Sequence, residues 1–176
     1  FTNDAIVKPI PKDKIQYVND GVINDNRWTN WVENPRSGDW VGFILGSGLP
    51  EEKYINNLEA TFFEDWGCSS PESFEIQYYV GNKVVLPKQP SHVLMESENP
   101  FNDDKNWVTV TNLVANPNVT SSIDTNYYTF DMVKTKVLRI KMKPKSGKSL
   151  GIKEIKAFEE RVEPNSDFVV SGIQVN

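Results

Sequence analysis

The sequence is poor in the residues that carry most enzyme chemistry and most covalent cross-links. Its 176 residues include one cysteine, Cys68, and one histidine, His92. A lone cysteine excludes an internal disulfide and a multi-thiolate metal site. His92 lies in a polar stretch with no triad-like nucleophile and carboxylate around it, so we expect a surface histidine rather than a catalytic base. The sequence also has no phosphate-binding glycine loop and no two-histidine metal motif.

An excess of positive charge and long apolar runs are also missing. The formal net charge is -5, from 19 Lys and Arg against 24 Asp and Glu. This argues against nucleic acid as a partner, because nucleic-acid binding needs a basic face. No apolar run is long enough to span a bilayer and nothing resembles a signal peptide, so we expect no membrane insertion. The lysine-rich run from Lys134 to Lys148 alternates with apolar residues and predicts the solvated face of a strand entering a loop.

A convincing helical period is absent, and short β-prone runs take its place. Residues 73–80 alternate with period two, which puts Phe74, Ile76 and Tyr78 on one face. Turn-forming residues separate this run from others at residues 40–45, 107–110, 127–130, 137–142 and 152–158. Many short strands with polar turns predict an all-β fold, an antiparallel β-sandwich or barrel.

The length suits one domain of ordinary size. The strand pattern fades after about residue 160, so we expect a β-sandwich over residues 1–160 and a C-terminal extension or linker at 161–176. Residues 87–106 are polar and predict a long surface loop. The chain begins with Phe1 rather than Met, and we expect it to be part of a longer polypeptide.

The segment from Asn19 to Trp31 is dense in carboxylates, amides and turn carbonyls. Oxygen donors close together in an irregular loop are the ligand type that calcium prefers. The spacing is not that of an EF-hand, because no glutamate closes the loop at its twelfth position. The composition equally fits a turn in which Asp and Asn side chains hydrogen-bond their own backbone, and both interpretations stay open at this point.

The same segment carries a resemblance to a known superfamily. Asp20-Gly21, a few polar residues and then Asn26-Arg27-Trp28 resemble the first motif of the discoidin, or coagulation-factor C-domain, superfamily. Residues 40–46 resemble its Trp-Val-x-Phe-x-Leu-Gly strand, and residues 154–158 its Glu-Ile-x-x-Phe motif. Residues 62–67 and 71–79 resemble galactose-binding-like modules of bacterial glycosidases, most of all the family seventy-one carbohydrate-binding modules of large streptococcal surface β-galactosidases. The resemblance implies a jelly-roll β-sandwich that binds sugar without catalysis.

The resemblance also implies a structural calcium ion that joins two distant parts of the chain. In this sequence the positions that match the ligands of the superfamily are Tyr17, Asp20, Val22, Asn26, Lys153 and Glu154. The loop is about one residue longer than is usual in the superfamily. Either Asp25 or Asn26 is therefore the implied loop ligand.

A sugar site needs an aromatic platform for the apolar face of the ring and fixed polar groups for its hydroxyls. We expect Trp28, Trp40 and Trp107 in the core, because each lies in a motif or strand among apolar neighbours. Trp31 and Trp66 lie in polar loops. For each of these two, a place over the core remains the alternative to a place in a sugar site.

The resemblance implies sugar contacts just after the first-motif Trp and in the loop after the next strand. The matching residues here are Thr29, Asn30, Trp31, Phe63, Glu64, Asp65 and Trp66. The histidine and arginine common in such sites are absent, so other side chains must bond the sugar hydroxyls. Our candidates for these bonds are Asn30, Arg36, Glu64 and Asp65. Glu64 and Asp65 are also the only residues that suggest a glycosidase, because a glycosidase needs two carboxyl groups on opposite sides of the scissile glycosidic bond.

These observations predict a non-catalytic module that binds galactose-terminated glycans such as lactose or N-acetyllactosamine. We expect it to be a monomeric part of an extracellular, multidomain glycoside hydrolase at a bacterial cell surface. The alternative is a structural spacer or protein-adhesion module with the same fold and no sugar site. A lipid-binding domain would need apolar spikes with basic rims, whereas these loops are acidic and polar.

Overall fold

Alternating apolar side chains form ten β-strands in the part of the chain that the structure describes. A computed structural model describes residues 13–31, 37–46, 49–85 and 99–159. The strands are β1 (Trp28–Thr29), β2 (Asp39–Ile44), β3 (Lys53–Phe62), β4 (Cys68–Ser69), β5 (Ser73–Tyr79), β6 (Trp107–Thr109), β7 (Val114–Asn116), β8 (Thr125–Thr135), β9 (Val137–Lys143) and β10 (Ser149–Phe158). Short 3-10 helices span Ile15–Asn19, Pro100–Asn102 and Asp104–Asn106. The all-β prediction is confirmed.

The strands pair into two sheets. One has the order β1-β10-β3-β8-β7, with β4 paired to β10, and the other has the order β2-β9-β5-β6. Every pairing is antiparallel except that of β4 with β10. The sheets pack face to face, as the predicted antiparallel β-sandwich requires.

The main core lies between the two sheets. The four-stranded sheet contributes Ile76, Leu138 and Ile140, which are fully buried, and the six-stranded sheet contributes Leu58 and Ile152. The predicted inward face of β5 is confirmed, because all three of its apolar side chains pack in this core or against it. Trp28 is also buried there, as expected. Removing this apolar surface from water is the main term that holds the sheets together.

A second buried cluster covers the outer face of the four-stranded sheet. It consists of Trp40, Tyr79, Phe101, Trp107 and Val137. The predicted burial of Trp40 and Trp107 is therefore confirmed. The prediction of a polar surface loop at residues 87–106 is wrong for residues 99–106, which fold as two 3-10 helices and bury Phe101.

A buried arginine explains why these residues fold onto the sheet. Arg139 is only 1% exposed and donates to Gln77 Oε1 (2.7 Å), the Phe101 carbonyl (3.2 Å) and Asp104 Oδ1 (2.6 Å). Its guanidinium carbon lies 4.2 Å from the centre of the Trp107 ring. A buried charge is costly unless it is paired and hydrogen-bonded, and residues 99–106 supply two of these partners.

Three segments meet at one end of the six-stranded sheet. Ile152 of β10 pairs on one side with Phe62, the last residue of β3, and on the other side with Trp28 of β1. The chain that leaves β1, the loop that leaves β3 and the turn that enters β10 therefore lie side by side. This end holds most of the predicted sugar-binding residues.

Some predictions fall on residues that the structure does not describe. Arg36, His92 and the predicted C-terminal extension at 161–176 lie outside the described ranges. Within the described ranges, no helix has the length and apolar character needed to cross a membrane.

Candidate functional site

Trp66 stands at the tip of the loop that joins β3 to β4. Its side chain is 98% exposed, the highest exposure among the large apolar residues that the structure describes. The alternative of a tryptophan over the core is therefore wrong for Trp66. An indole in water contributes nothing to folding by burial, and its surface is available to a ligand.

The loop around Trp66 is shaped by Asp65. Asp65 Oδ1 accepts hydrogen bonds from the backbone N–H groups of Gly67 and Cys68, both at 2.8 Å. The backbone N–H of Asp65 donates to the Cys68 carbonyl at 3.0 Å. Aspartate side chains commonly form such turns with the backbone that follows them. One oxygen of the predicted sugar ligand Asp65 is thus used to build the loop, which leaves Oδ2 to face a ligand.

The β9–β10 turn holds the same loop from the other side. Lys148 Nζ donates to the Trp66 carbonyl at 2.7 Å and to the Asp65 carbonyl at 3.3 Å. The backbone N–H of Ser149 donates to the Gly67 carbonyl at 2.7 Å. The lysine-rich run predicts a solvated face, and this is wrong for Arg139, which belongs to the run and is 1% exposed. Lys148 is half-buried at the surface, where its ammonium bonds these backbone oxygens. No local pattern signals this contact, because the partners are 82 and 83 residues apart in the chain.

Trp31 comes to the same place from β1. Its indole packs against Gly67, so closely that a Cβ on Gly67 would lie 2.9 Å from Trp31 Nε1. Trp31 is half exposed. The Trp31 indole therefore contacts the backbone of the residue that follows Trp66, so the two tryptophans that the sequence singles out belong to segments that meet here.

The remaining polar candidates divide into exposed and buried residues. Glu64 is exposed beside Asp65 and stays available to a ligand. Thr29 is buried and bonds the carboxylate of Asp13 through its backbone N–H and its hydroxyl.

The prediction that Asn30 bonds sugar hydroxyls is wrong. Asn30 is 1% exposed, its Oδ1 accepts from the Leu150 backbone N–H at 2.7 Å, and its Nδ2 donates to Asp39 Oδ2 at 3.2 Å. Both ends of the amide are therefore used inside the protein. Its role is to link the end of β1 to the start of β10.

The thiol next to the loop is not a nucleophile. Cys68 is buried, and burial raises the pKa of its thiol to about 12, with Asp65 as a second cause. The thiolate is the reactive form of cysteine, and at neutral pH this group stays protonated.

Two of the predicted metal ligands, Asp20 and Glu154, lie near each other at the middle of β10. Gly21, at φ 82°, lets the chain turn so that its backbone N–H donates to Glu154 Oε1 at 3.2 Å. Asn19 Nδ2 donates to the Ile155 carbonyl at 2.7 Å, which ties the same loop to β10. A β-bulge between Ile152 and Glu154 leaves Lys153 without a partner residue in β3.

Glu154 is a buried carboxylate with one oxygen that has no hydrogen-bond partner among the described residues. The residue is 3% exposed, and this oxygen is Oε2. Burial is the main cause that raises the pKa of its carboxyl above the usual value of 4.5, and the nearby Asp20 carboxylate raises it further. A buried polar atom without a partner is costly, and a cation would satisfy it.

The other predicted ligands line the same loop. Tyr17 lies in the first 3-10 helix, and Asp20 and Val22 follow it, with Asp20 Oδ1 accepting from the Val22 N–H at 2.9 Å. The Asp25 carbonyl accepts from Arg27 Nη1 at 3.0 Å, and the Asn26 N–H donates to Asn24 Oδ1 at 2.6 Å. Within the described residues, no three His, Cys, Asp or Glu side chains cluster around a metal position. The predicted set is compatible with this, because it draws on carbonyl and amide oxygens, which calcium accepts.

Comparison with known proteins gives one matching family. The family described as "Beta-galactosidase-like, Galactose-binding domain" matches residues 1–155. No curated protein sequence is significantly similar to the chain.

Several solved structures share the fold. A structure of the Streptococcus pneumoniae β-galactosidase BgaA is 30% identical, with a TM-score of 0.81, and the match covers 91% of this chain and 94% of that one. The family 32 CBM from C. perfringens NanJ in complex with galactose is 15% identical, with a TM-score of 0.54 and coverage of 86% and 88%. Chitosan-binding module 2 from Paenibacillus sp. IK-5 in complex with chitotriose is 16% identical, with a TM-score of 0.54 and coverage of 85% and 89%. At these lower identities the likeness concerns the fold alone.

Proposed function

The chain belongs to the family of β-galactosidase-like, galactose-binding domains, which are non-catalytic carbohydrate-binding modules, and from this premise we propose that it recognises terminal β-galactosides. The observation that carries the proposal is the exposed indole of Trp66, next in the chain to Gly67, against which the half-exposed indole of Trp31 packs. The apolar face of a galactose ring stacks on an indole plate. The carboxylates of Glu64 and Asp65 beside it bond the hydroxyls.

The finer specificity rests on the chemistry of the galactose ring. Galactose and glucose differ in the orientation of one hydroxyl, which is axial in galactose. An axial hydroxyl projects away from the opposite face of the ring and leaves that face more continuously apolar. An exposed indole therefore stacks on a larger apolar face in a β-galactoside than in a β-glucoside, and the acidic pair beside it accepts hydrogen bonds from the ring hydroxyls. Lactose and N-acetyllactosamine are the disaccharides that we expect to bind.

The test is a calorimetric titration with lactose and N-acetyllactosamine, with cellobiose as the matched control. We expect saturable binding of the two galactosides at roughly millimolar Kd, because a disaccharide offers few atoms and association costs several kcal/mol of lost freedom. Cellobiose should bind at least about tenfold more weakly, which corresponds to about 1.4 kcal/mol. Equal binding of all three sugars would contradict the proposed specificity.

A site variant connects the titration to the structure. Trp66→Ala should abolish galactoside binding and leave Tm nearly unchanged, because the side chain is 98% exposed. A drop in Tm with binding retained would mean that the platform lies elsewhere. A wild-type protein that binds no galactose-terminated glycan would instead favour the alternative of a spacer or protein-adhesion module.

We further propose that the module binds calcium as a structural ion. Support comes from the buried Oε2 of Glu154, which has no hydrogen-bond partner in the described part of the chain, and from the Asp20 carboxylate near it. Asp20, Glu154, the carbonyls of Tyr17, Val22 and Lys153, and an oxygen of Asp25 or Asn26 would hold the ion. When bound, calcium would supply positive charge that joins the 17–26 loop to β10, and it would take no part in sugar chemistry.

The family also supports a proposal about the parent protein. We propose an extracellular, multidomain glycoside hydrolase at a bacterial surface, in which this module holds the enzyme near galactose-terminated glycans. The support is the β-galactosidase-like family and the similar structure from a streptococcal β-galactosidase. Weak single-site binding becomes useful in such a protein, because tethering makes later contacts intramolecular.

A further inference from the structure

The turn between β9 and β10 makes an unusual set of bonds to the loop that carries Trp66. Lys148 Nζ donates to the carbonyls of Trp66 (2.7 Å) and Asp65 (3.3 Å), and the Ser149 N–H donates to the carbonyl of Gly67 (2.7 Å). Three consecutive carbonyls of the loop thus accept bonds from two consecutive residues, the last of the turn and the first of β10. A surface loop ordinarily gives its carbonyls to water, so this arrangement fixes the loop backbone.

The same turn also contacts the chain beyond the loop. Lys145 Nζ donates to Ser70 Oγ at 3.1 Å, directly after β4. The turn is itself closed by the Lys148 N–H, which donates to the Lys145 carbonyl at 3.0 Å, and by Gly147 at φ 70°. The two lysines therefore hold the loop at its tip and at its exit, and they extend from a turn that is itself ordered.

Trp66 depends on this support more than a buried residue would. Its side chain is 98% exposed, so packing does not fix the position of the indole. The direction in which the indole points is set by the backbone of residues 65–67. If that backbone held the binding conformation for only a fraction of the time, the apparent Kd would rise by the inverse of that fraction.

We propose that Lys148 is a positioning residue for the sugar platform, acting through the backbone of the Trp66 loop rather than by contact with the sugar. This inference rests on the proposed function of the Trp66 and Trp31 site. An ammonium has three donors, and two of them are committed to the Asp65 and Trp66 carbonyls. The ligand is a neutral sugar, so the charge of Lys148 adds little attraction of its own.

The experiment compares Lys148→Met, which keeps the aliphatic stem and removes the donors, with Lys148→Arg, which restores donors. Lys136→Met is the matched control, because Lys136 is exposed in the β8–β9 turn at the opposite end of the sandwich and its loss removes the same charge. Two quantities are measured: the Kd for lactose, and the backbone ¹⁵N dynamics of residues 65–67 without ligand, as order parameters and relaxation dispersion. The order parameters test the loop even if no sugar binds.

We expect Lys148→Met to raise Kd roughly tenfold, as for a loop that is competent about a tenth of the time. Its order parameters at residues 65–67 should fall from about 0.85 towards about 0.6, and Lys148→Arg should recover much of both quantities. Lys136→Met should change neither. Weaker binding with unchanged order parameters and unchanged relaxation dispersion at residues 65–67 would make Lys148 a direct sugar ligand and would overturn the inference. Unchanged order parameters with unchanged Kd would overturn it as well.

The two proposals fail in different ways. If wild-type protein binds no galactoside while Lys148→Met loosens the loop, the proposed function is wrong and the support of the loop by Lys148 stands. If wild-type protein binds lactose and Lys148→Met has a rigid loop, the proposed function stands and the positioning role is wrong.

Discussion

The indole of Trp31 lies against the backbone of Gly67, at a place where a Cβ would meet Trp31 Nε1 at 2.9 Å and Cδ1 at 3.0 Å. This contact joins the chain leaving β1 to the loop leaving β3. The contact sets the position of the Trp31 indole relative to the backbone that carries Trp66, because Gly67 follows Trp66 in the chain. A residue with any side chain at position 67 would have to move the indole.

The first prediction concerns this contact. Gly67→Ala should weaken lactose binding by roughly three- to tenfold, because the new methyl group displaces the Trp31 indole from its place beside Trp66. The cost in stability should stay below about 1 kcal/mol, since Trp31 is half exposed and can move outward. Calorimetric titration and thermal unfolding measure the two effects. Gly147→Ala is a poor control: no atom lies near its Cβ position, but its φ of 70° would strain an alanine. Ser146→Ala, in the same exposed turn, is the better control.

The second prediction tests the burial of Asn30. Asn30→Ala should lower the free energy of unfolding by about 2–3 kcal/mol, because it leaves the buried Leu150 N–H without its acceptor and removes one hydrogen bond to Asp39. Tm should fall by roughly 5–10 °C, whereas Asn82→Ala, in an exposed turn, should leave it nearly unchanged. Unchanged Tm together with lost sugar binding would restore Asn30 as a sugar ligand.

The third prediction concerns calcium and Glu154. If the ion binds, calcium at about a hundred times its Kd should stabilise the wild-type protein by about 2.7 kcal/mol, which raises Tm by roughly 5–10 °C. Glu154→Gln should lose this response, because it replaces a charged ligand with a neutral one. Glu52→Gln is the matched control, since Glu52 is exposed and bonds Lys134 instead. Thermal unfolding in EDTA and in calcium distinguishes the outcomes, and an equal response of wild type and Glu154→Gln would contradict the proposed site.

The fourth prediction follows from the partners of Asp104. Hydrogen bonds from Lys141 and from Arg139 hold the pKa of the Asp104 carboxyl below its usual value of 3.8. Because the pKa is lower in the folded protein, the stabilisation is complete above about pH 4 and is lost as pH falls through the folded value. The Asp104 side chain is about two thirds exposed, so solvent screens these bonds and Asp104→Asn should lower the free energy of unfolding at pH 7 by only about 0.5–1 kcal/mol. Its deficit relative to wild type should shrink as the pH falls below the usual pKa of 3.8 and through the lower pKa of the folded protein. Urea unfolding at several pH values measures this, and a deficit that stays constant would contradict the assignment.

Local pattern predicted the strands wherever apolar residues alternate without interruption. β5 and β9 lie close to where alternation puts them, and the inward face of β5 is confirmed. The ten-residue strand β3 gave no clear signal. Its Leu58, Ala60 and Phe62 do alternate with polar residues, but this pattern is only five residues long, and the polar pair Asn56-Asn57 breaks the period where the register also shifts.

The candidate site was predicted in part, because residue type and loop context suggest an exposed tryptophan without establishing it. Trp66 and Trp31 were identified by their polar neighbours. The same reasoning included Asn30, which is buried by its bonds to Leu150 and Asp39. Lys148 was missed, because a lysine that bonds backbone carbonyls 82 residues away has the same local sequence as a lysine in water.

The sequence by itself determined the class of fold, the family motifs and the chemical groups available for binding. These groups are indoles, carboxylates and an oxygen-rich loop, and few of them could support catalysis. Only the tertiary structure decided which indoles face water and which polar groups are already used. Exposure and bonding depend on partners far along the chain, such as Leu150, which lies 120 residues from Asn30. Such pairs come together only when the sheets close over the core, and no local pattern records them.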